Sequence, residues 1–320
     1  MRIYVLALEG VFDTGLTALL DALSIANRFA AMHLGKAPFE LSLHGLRKRV
    51  RSAQGMILPV APIPDGRAPD WVIVPALGTI TPESLIPALA RADVNQAKAQ
   101  LLAWHQQGSK IGASCIGTFL LADAGLLDHR EATTTWFLAP LFRQRYPKVL
   151  LDESRMLVPT EIGVTAGAAM GHLDLALWLI RRASPELASI VSRYLLADLR
   201  SAQAPYIIPN HLAQADPLIL QFERWARGCL KKGFSLQEAA QALATSTRTL
   251  QRRCEAVLGK SPLSYFQDLR VERARSLLQG SKLDLEAIAA EVGYEDGATL
   301  RALLRQRLGR GVRELRADLR

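Results

Sequence analysis

Residues 110–136 read KIGASCIGTFLLADAGLLDHREATTTW. An apolar run rises to Ser114-Cys115, Gly117 follows, and a helix-like stretch begins at once. That is how a nucleophile is presented on a strand-to-helix turn, with glycine allowing the close approach of backbone to backbone. The flanking segments carry the same two grammars. IYVLAL (3–8), WVIVPAL (71–77) and KIGAS (110–114) are short apolar runs, and FELSLHGL (39–46) alternates like a strand. Between them, Leu16, Leu19, Leu20, Leu23, Ile25 and Phe29 fall at helical spacing over 16–31, and 83–107 reads as one helix. Short apolar strands separated by helices predict an α/β domain, with a mostly parallel sheet and helices on both faces. Ligands in such folds sit at the carboxyl ends of strands, and Cys115 lies at such an end.

Near residue 200 the grammar changes. SAQAPYIIPNHLAQADP (201–217) holds three prolines and no long period, so 201–215 reads as a linker, and only helical patterns follow from Asp216. Residues 201–320 carry 19 Lys+Arg against 13 Asp+Glu, net +6, while residues 1–200 carry 20 against 17, net +3. Two-thirds of the excess charge of +9 thus sits in the last 120 residues, and a pI near 9.7 points to an acidic partner such as nucleic acid. With 320 residues and 49% hydrophobic content the chain can bury two cores. Cys115, Cys229 and Cys254 are far apart and form no C-x-x-C pair, which argues against a structural zinc site and suits a reducing cytoplasm. MRIYVLALEG is too short for a signal segment and no 18-residue apolar run occurs, so a cytoplasmic protein without a membrane span is expected.

The last hundred residues repeat. SLQEAAQALATSTRTLQRRCEAVLG (235–259) aligns with DLEAIAAEVGYEDGATLRALLRQRLG (284–309). Leu250, Leu258 and Gly259 match Leu300, Leu308 and Gly309 at an offset of 50, whereas Leu236 matches Leu285 at 49, so the second copy has one extra turn residue. Each copy has a capping residue (Ser235, Asp284), a short helix, a tight turn and a second helix ending at glycine: a helix-turn-helix, twice. Ser261-Pro262 starts a connecting helix that runs to Gly280. This all-α tandem, 216–320, resembles the DNA-binding domain of the AraC/XylS family, most clearly at TRTLQRRCEAVLGKSPLSYFQDLRVERARSLL (247–278) and IAAEVGYEDGATLRALLRQRLG (288–309). The resemblance implies two units in successive major grooves of double-stranded DNA. In the first, Leu250 and Val257 are expected inside, Arg248, Gln251 and Arg252 at base edges, and Thr247, Thr249 and Arg253 at phosphates. The second departs from the family: Leu300 and Leu303 or Leu304 replace the usual aromatics, Ala298 and Ala302 thin the groove face, and LGRGVRELR lacks the usual proline. Thr299, Arg301 and Arg305 remain as contacts there, so the first unit is expected to read bases and the second mainly to hold phosphate.

Residues 1 to about 185 resemble the class I glutamine amidotransferase-like, intracellular-protease-like domain, a flavodoxin-like fold. The likeness is clearest at GASCIGTFLLADAGLLDHREATTTWFLAPLFRQRYP (112–147) and GVTAGAAMGHLDLALWLI (163–180). It implies that 1–200 is an effector and dimerisation domain. In enzymes of that fold the cysteine is activated by a helix N-terminus and a histidine. The family's histidine position is Thr135 here, which is no general base, and Asp13 matches the family's acid only loosely. His129 and His172 are the remaining histidines to consider as a base. The expectation is no catalytic residue, no metal and no cofactor, and an effector pocket at Cys115, Trp136 and Asp13. Cys115 as a small buried residue of a tight turn, or as a redox sensor lacking a resolving partner, remain open alternatives. So do a domain that only dimerises and a cysteine hydrolase or amidase that uses Cys115 and also binds DNA. The combination implies a homodimeric transcription regulator, an activator that meets RNA polymerase and responds to a small amine or amino-acid-like metabolite.

Overall fold

A computed structural model describes residues 1–64, 66, 68–197, 200 and 202–317. The chain divides into two compact units, Met1–Gln203 and Ala204–Arg320. In chain order the first unit has β1 (Arg2–Leu6), α1 (Asp13–Leu34), β2 (Glu40–Gly45), β3 (Arg49–Arg51), β4 (Ile57–Pro59), β5 (Ala61–Pro62) and β6 (Trp71–Val74). It continues through α2 (Pro82–Leu89), α3 (Ala92–Gln106), β7 (Lys110–Ser114), α4 (Gly117–Asp123), β8 (Glu131–Ala132) and α5 (Ala139–Arg145). It closes with β9 (Leu150–Leu151), β10 (Leu157–Thr160), β11 (Gly163–Ala166), α6 (Gly171–Ala183) and α7 (Pro185–Leu195).

The main sheet runs β10-β11-β7-β6-β1-β2-β5, parallel except for the β10–β11 hairpin. The reason lies in the strand composition. On β1, Tyr4 and Leu6 enter one apolar cluster with Leu85, Leu101, Phe119 and Phe142, while Ile3 and Val5 enter the other with Leu19, Leu23, Leu175 and Val191. Alternate side chains leave a strand on opposite faces, so a strand apolar at every position must be covered on both. Helices α2–α5 cover one face, and α1, α6 and α7 the other. Phe119, Phe142 and Tyr146 lock the first face edge to face, with centroids 4.8–5.8 Å apart.

One expected helix is divided. Residues 83–107 form α2 and α3, because the chain turns at Ala90–Arg91, where the Arg91 guanidinium binds Asp93 and the Glu9 carbonyl. The stretch read as a linker is also partly structured. Gln203 is buried in the first unit, and Pro209–Ala213 is a helix (α8) of the second.

The second unit continues with α9 (Pro217–Cys229), α10 (Leu236–Ala242), α11 (Thr247–Leu258), α12 (Pro262–Gly280), α13 (Leu285–Glu291), α14 (Gly297–Leu308) and α15 (Val312–Ala317). Every helix start that the sequence marks is capped by a side chain accepting a backbone N–H: Ser235 from Glu238, Ser261 from Ser264 and Asp284 from Ala287. Gly259 and Gly309 close α11 and α14 in the left-handed conformation, at φ 66° and 67°. The turn spans 243–246 in the first copy and 292–296 in the second, which is the extra residue. Both turns need one left-handed residue: Gly293 at φ 80° in the second copy, and the non-glycine Ala244 at φ 49° in the first. Ile288, Val292, Leu300 and Leu304 pack the second copy against Val271, Ala274 and Leu278 of α12.

Candidate functional site

The second helix of each repeat has one wet and one dry face. On α11, Leu250, Cys254 and Leu258 are fully buried, four residues apart, and point α11 into the unit. Val257, expected inside, is only half-buried; Cys254 takes the core position. Arg248, Gln251 and Arg252 are exposed and make no hydrogen bond or ion pair among the described residues. Their spacing of three and four residues sets three long polar groups on one face, two cationic and one an amide. On α14 the dry face is Leu300 and Leu304, with Leu303 half-buried, and the wet face offers Arg301 and Arg305. Both helices begin at a cap: the Ser246 hydroxyl accepts from Thr249 N–H at 3.0 Å, and the Asp296 carboxylate from Thr299 N–H at 2.6 Å. The Thr249 and Thr299 hydroxyls lie against those caps at 2.8 and 3.0 Å, and Thr247 is half-buried at the same end of α11.

Arg253 is differently placed. Its guanidinium binds the buried carboxylate of Asp216, which also caps α9 through the N–H groups of Leu218 and Ile219. Arg253 therefore ties α11 to α9, and its charge is engaged inside the unit, unlike the neighbouring Arg252. Arg307 is likewise turned inward, onto Asp268, Gln267 and Ser264.

In the first unit, β7 ends in the elbow. Cys115 has φ 54°, a left-handed value costly for any residue with a Cβ. It is held by its own N–H on Ala166 O at 2.7 Å and by the Thr134 hydroxyl donating to its carbonyl at 2.7 Å. Gly117 is required two residues on, since a Cβ there would meet Val74 O at 2.4 Å. Burial pushes the Cys115 thiol up to about 11, although hydrogen bonds from Ile116 N–H and the Thr135 side chain oppose the shift. The group is a neutral thiol at physiological pH.

Neither histidine serves that thiol. His172 is fully buried; its Nε2 accepts from Ala76 N–H at 3.0 Å and its Nδ1 donates to Ala169 O at 2.7 Å, which leaves no nitrogen for a proton transfer. Desolvation lowers it to about 4. His129 is exposed in a turn whose N–H binds Lys148 O. Asp13 opens α1, nearly buried, with Oδ2 accepting from Gln54 N–H at 3.0 Å and Oδ1 without a partner among the described residues. Ser114 Oγ and Thr118 Oγ1, on either side of the elbow, are also buried without partners among the described residues. Trp136 is half-buried, edge to face with Phe137 at 5.5 Å. Among the described residues no cluster of three or more metal-ligating side chains occurs, and no helix is long and apolar enough to cross a membrane.

A helix-turn-helix domain model matches residues 239–318, both copies of the repeat. The HTH-type transcriptional regulator ArgR of Pseudomonas aeruginosa is 30% identical over 250 residues, covering 75% of this chain and 71% of its own length. The chain belongs to the AraC family of transcriptional regulators. As an AraC-type regulator it binds DNA. An AraC family transcriptional regulator from Pseudomonas putida superposes with TM-score 0.50 at 22% identity, over 61% of this chain and 98% of that one. A ThiJ/PfpI family protein from Pseudomonas syringae does so with TM-score 0.51 at 18% identity, over 76% and 90%. These two share the fold of the first unit, as the resemblance of residues 1–185 leads one to expect. The regulator's sequence showed its capped repeat directly. It did not show that Arg253 is bound to Asp216, because a pairing across 37 residues leaves no local pattern, although Asp216-Pro217 is a readable helix start.

Proposed function

We propose that this AraC-type regulator reads DNA with Arg248, Gln251 and Arg252 of α11 and senses a small metabolite at the Cys115 elbow. For the reading set, the support is exposure without protein partners on one helix face. Arg and Gln on such a face can pair with guanine and adenine edges. Arg301 and Arg305, with Thr247, Thr249 and Thr299 at the helix starts, serve the phosphates. If Arg301→Ala relaxes base preference as much as Arg252→Ala, that division is wrong.

One observation carries the sensor reading. A strained turn at the carboxyl edge of the sheet is flanked by Ser114 Oγ and Thr118 Oγ1, buried without partners among the described residues, while burial holds its thiol neutral and both nitrogens of His172 are taken. Buried polar groups are paired in nearly all structures, and a ligand supplies the partner in a binding site. Thr135 in the histidine position makes the first domain a binder and not a hydrolase. The ligand class we favour is an amine or amino-acid-like metabolite, with Asp13, Cys115 and Trp136 around it. The regulator acts as a cytoplasmic homodimer that activates transcription through RNA polymerase, with 1–200 sensing and 216–320 reading.

The test is thermal unfolding of the full chain against a panel of amines, amino acids and small metabolites, since a ligand of the folded state raises the midpoint by mass action. A saturable shift abolished by Cys115→Trp supports the pocket. No shift with any compound overturns it.

A further inference from the structure

Gln203, the last residue of the first unit, is completely buried although it is polar and lies outside any helix or strand. Its side chain fills a socket of oxygens. Nε2 lies 3.0 Å from Thr133 Oγ1, 2.8 Å from Thr134 O and 3.1 Å from Arg155 O. The socket exists because residue 167 is glycine: a Cβ there would come within 1.8 Å of Gln203 Nε2 and 2.7 Å of Oε1. Gly167 is not left-handed, so the need is for space alone. The backbone is stapled at the same place, with Gln203 N–H donating to Ser154 O at 2.8 Å and Ala202 bridged to Arg155. The socket and the elbow share their walls. Thr134 offers its carbonyl to Gln203 and its hydroxyl to the Cys115 carbonyl, and Cys115 N–H binds Ala166, the neighbour of Gly167.

We propose that the Gln203 carboxamide is a built-in occupant of the site beside Cys115, and that a small primary amide competes with it and frees the segment leading to the DNA-binding unit. This rests on the reading of the elbow as a ligand pocket. The chemistry of the socket selects the head group. Two of its three oxygens are carbonyls, which only accept, so the amide nitrogen faces them and a carboxylate is repelled. Gln203 Oε1 has no partner among the described residues, so the resident amide is incompletely satisfied and an incoming one that finds a donor for its oxygen has the advantage. Release has a mechanical result. Once the backbone pairs of Gln203 with Ser154 and of Ala202 with Arg155 open with the side chain, the last anchored point before the second unit moves back to Arg200, whose N–H and guanidinium are fixed on Asp174. Three residues are added to the tether, about 10 Å when extended.

The experiment uses the full chain and propionamide, which is the glutamine side chain as a separate molecule, with propionate as control. Ligand-observed NMR should show Gln203→Ala binding propionamide at least tenfold more tightly than wild type, and Gly167→Ala combined with Gln203→Ala should abolish that binding. Propionate should bind neither. Hydrogen exchange of the Gln203 amide should speed up at least tenfold in Gly167→Ala, whose added methyl expels the side chain. Should Gln203→Ala fail to fold by circular dichroism, the exchange of Gly167→Ala decides alone, and unchanged exchange overturns the proposal. Equal propionamide binding by wild type and Gln203→Ala also overturns it. If Gln203→Ala binds no propionamide while a metabolite still gives a shift abolished by Cys115→Trp, the sensor stands and the built-in occupant falls. If both measurements are empty, both readings fall.

Discussion

Replacing Arg253 by alanine should lower the melting temperature of the second unit and leave the salt dependence of DNA binding unchanged. Replacing its neighbour Arg252 should leave the melting temperature unchanged and lower the preference for the specific site over random DNA. The magnitude follows from the geometry around Asp216. That carboxylate is 4% exposed and accepts from Leu218 and Ile219 N–H at 2.9 and 3.1 Å as well as from Arg253, whose side chain is 47% exposed. A hydrogen bond to a charged group contributes about 1.5–3 kcal/mol. Screening at the half-exposed guanidinium reduces this to about 1–2 kcal/mol, while the two cap bonds survive the substitution. For a unit of this size that is a fall on the order of 5–10 °C. Calorimetry of the full chain reads the stability. Fluorescence anisotropy on a random duplex across several salt concentrations reads the phosphates, where one lost contact lowers the logarithmic slope by about 0.9. Arg253→Ala should leave that slope as it is. Arg252→Ala should keep the melting temperature and lose about 1–3 kcal/mol of preference for the specific site over random DNA. An Arg253→Ala variant that melts like wild type and loses about one unit of slope would show that Arg253 leaves Asp216 for the phosphate backbone, and the reasoning would be refuted.

Four further outcomes are expected. The buried His172 titrates near 4 against 6.5 when exposed, so the unfolded chain takes up a proton that the folded chain refuses. Its contribution is complete above about pH 6.5 and is lost as the pH falls toward 4; urea melts should show about 2 kcal/mol less stability at pH 5 than at pH 7.5 from this group, a drop absent in a His172→Gln variant. With its thiol near 11, Cys115 should be alkylated by iodoacetamide at pH 7.5 more slowly than the half-buried Cys229, as read by peptide mass spectrometry; Cys115 reacting first would restore the nucleophile. Ala244→Gly should raise the unfolding free energy from urea melts by about 0.5–1 kcal/mol, because relief of the left-handed strain exceeds the added freedom of the unfolded chain. Its counterpart Gly293→Ala should destabilise, since a Cβ would fall 2.3 Å from Arg270 Nη2 and 2.4 Å from Leu230 O.

What was legible in the sequence is what is governed by local chemistry. Ser235, Ser261 and Asp284 announce helix starts because a short oxygen-bearing side chain satisfies backbone N–H groups within its own turn. The apolar runs of β1, β6 and β7 announce a sheet covered on both faces. The elbow was legible for the same reason, as a strand, a turn and a helix in immediate succession. Contacts between distant segments were not. Nothing near Gln203 signals that its amide ends among Thr133, Thr134 and Arg155, and nothing near Asp216 signals Arg253. The break at Ala90–Arg91 is signalled locally only by Pro87, and its Arg91 contact to the Glu9 carbonyl, more than eighty residues earlier, leaves no local pattern. Periodicity puts Val257 inside, whereas the core takes Cys254, a residue whose small apolar character periodicity counts weakly.

The two recognition helices begin under different chemistry. α11 starts beneath an uncharged hydroxyl, Ser246, and α14 beneath Asp296, whose carboxyl is held below its ordinary range by the Thr299 N–H and hydroxyl. On the proposed reading, in which each helix meets the groove by its starting end, Asp296 sets a fixed negative charge against the phosphate contacts of Arg301 and Arg305 in the second copy, and the first copy has no such charge at its cap. A reader that grips unequally in this way gives its target a head and a tail, and reversing the site relative to a promoter would turn the stronger contact to face the other way.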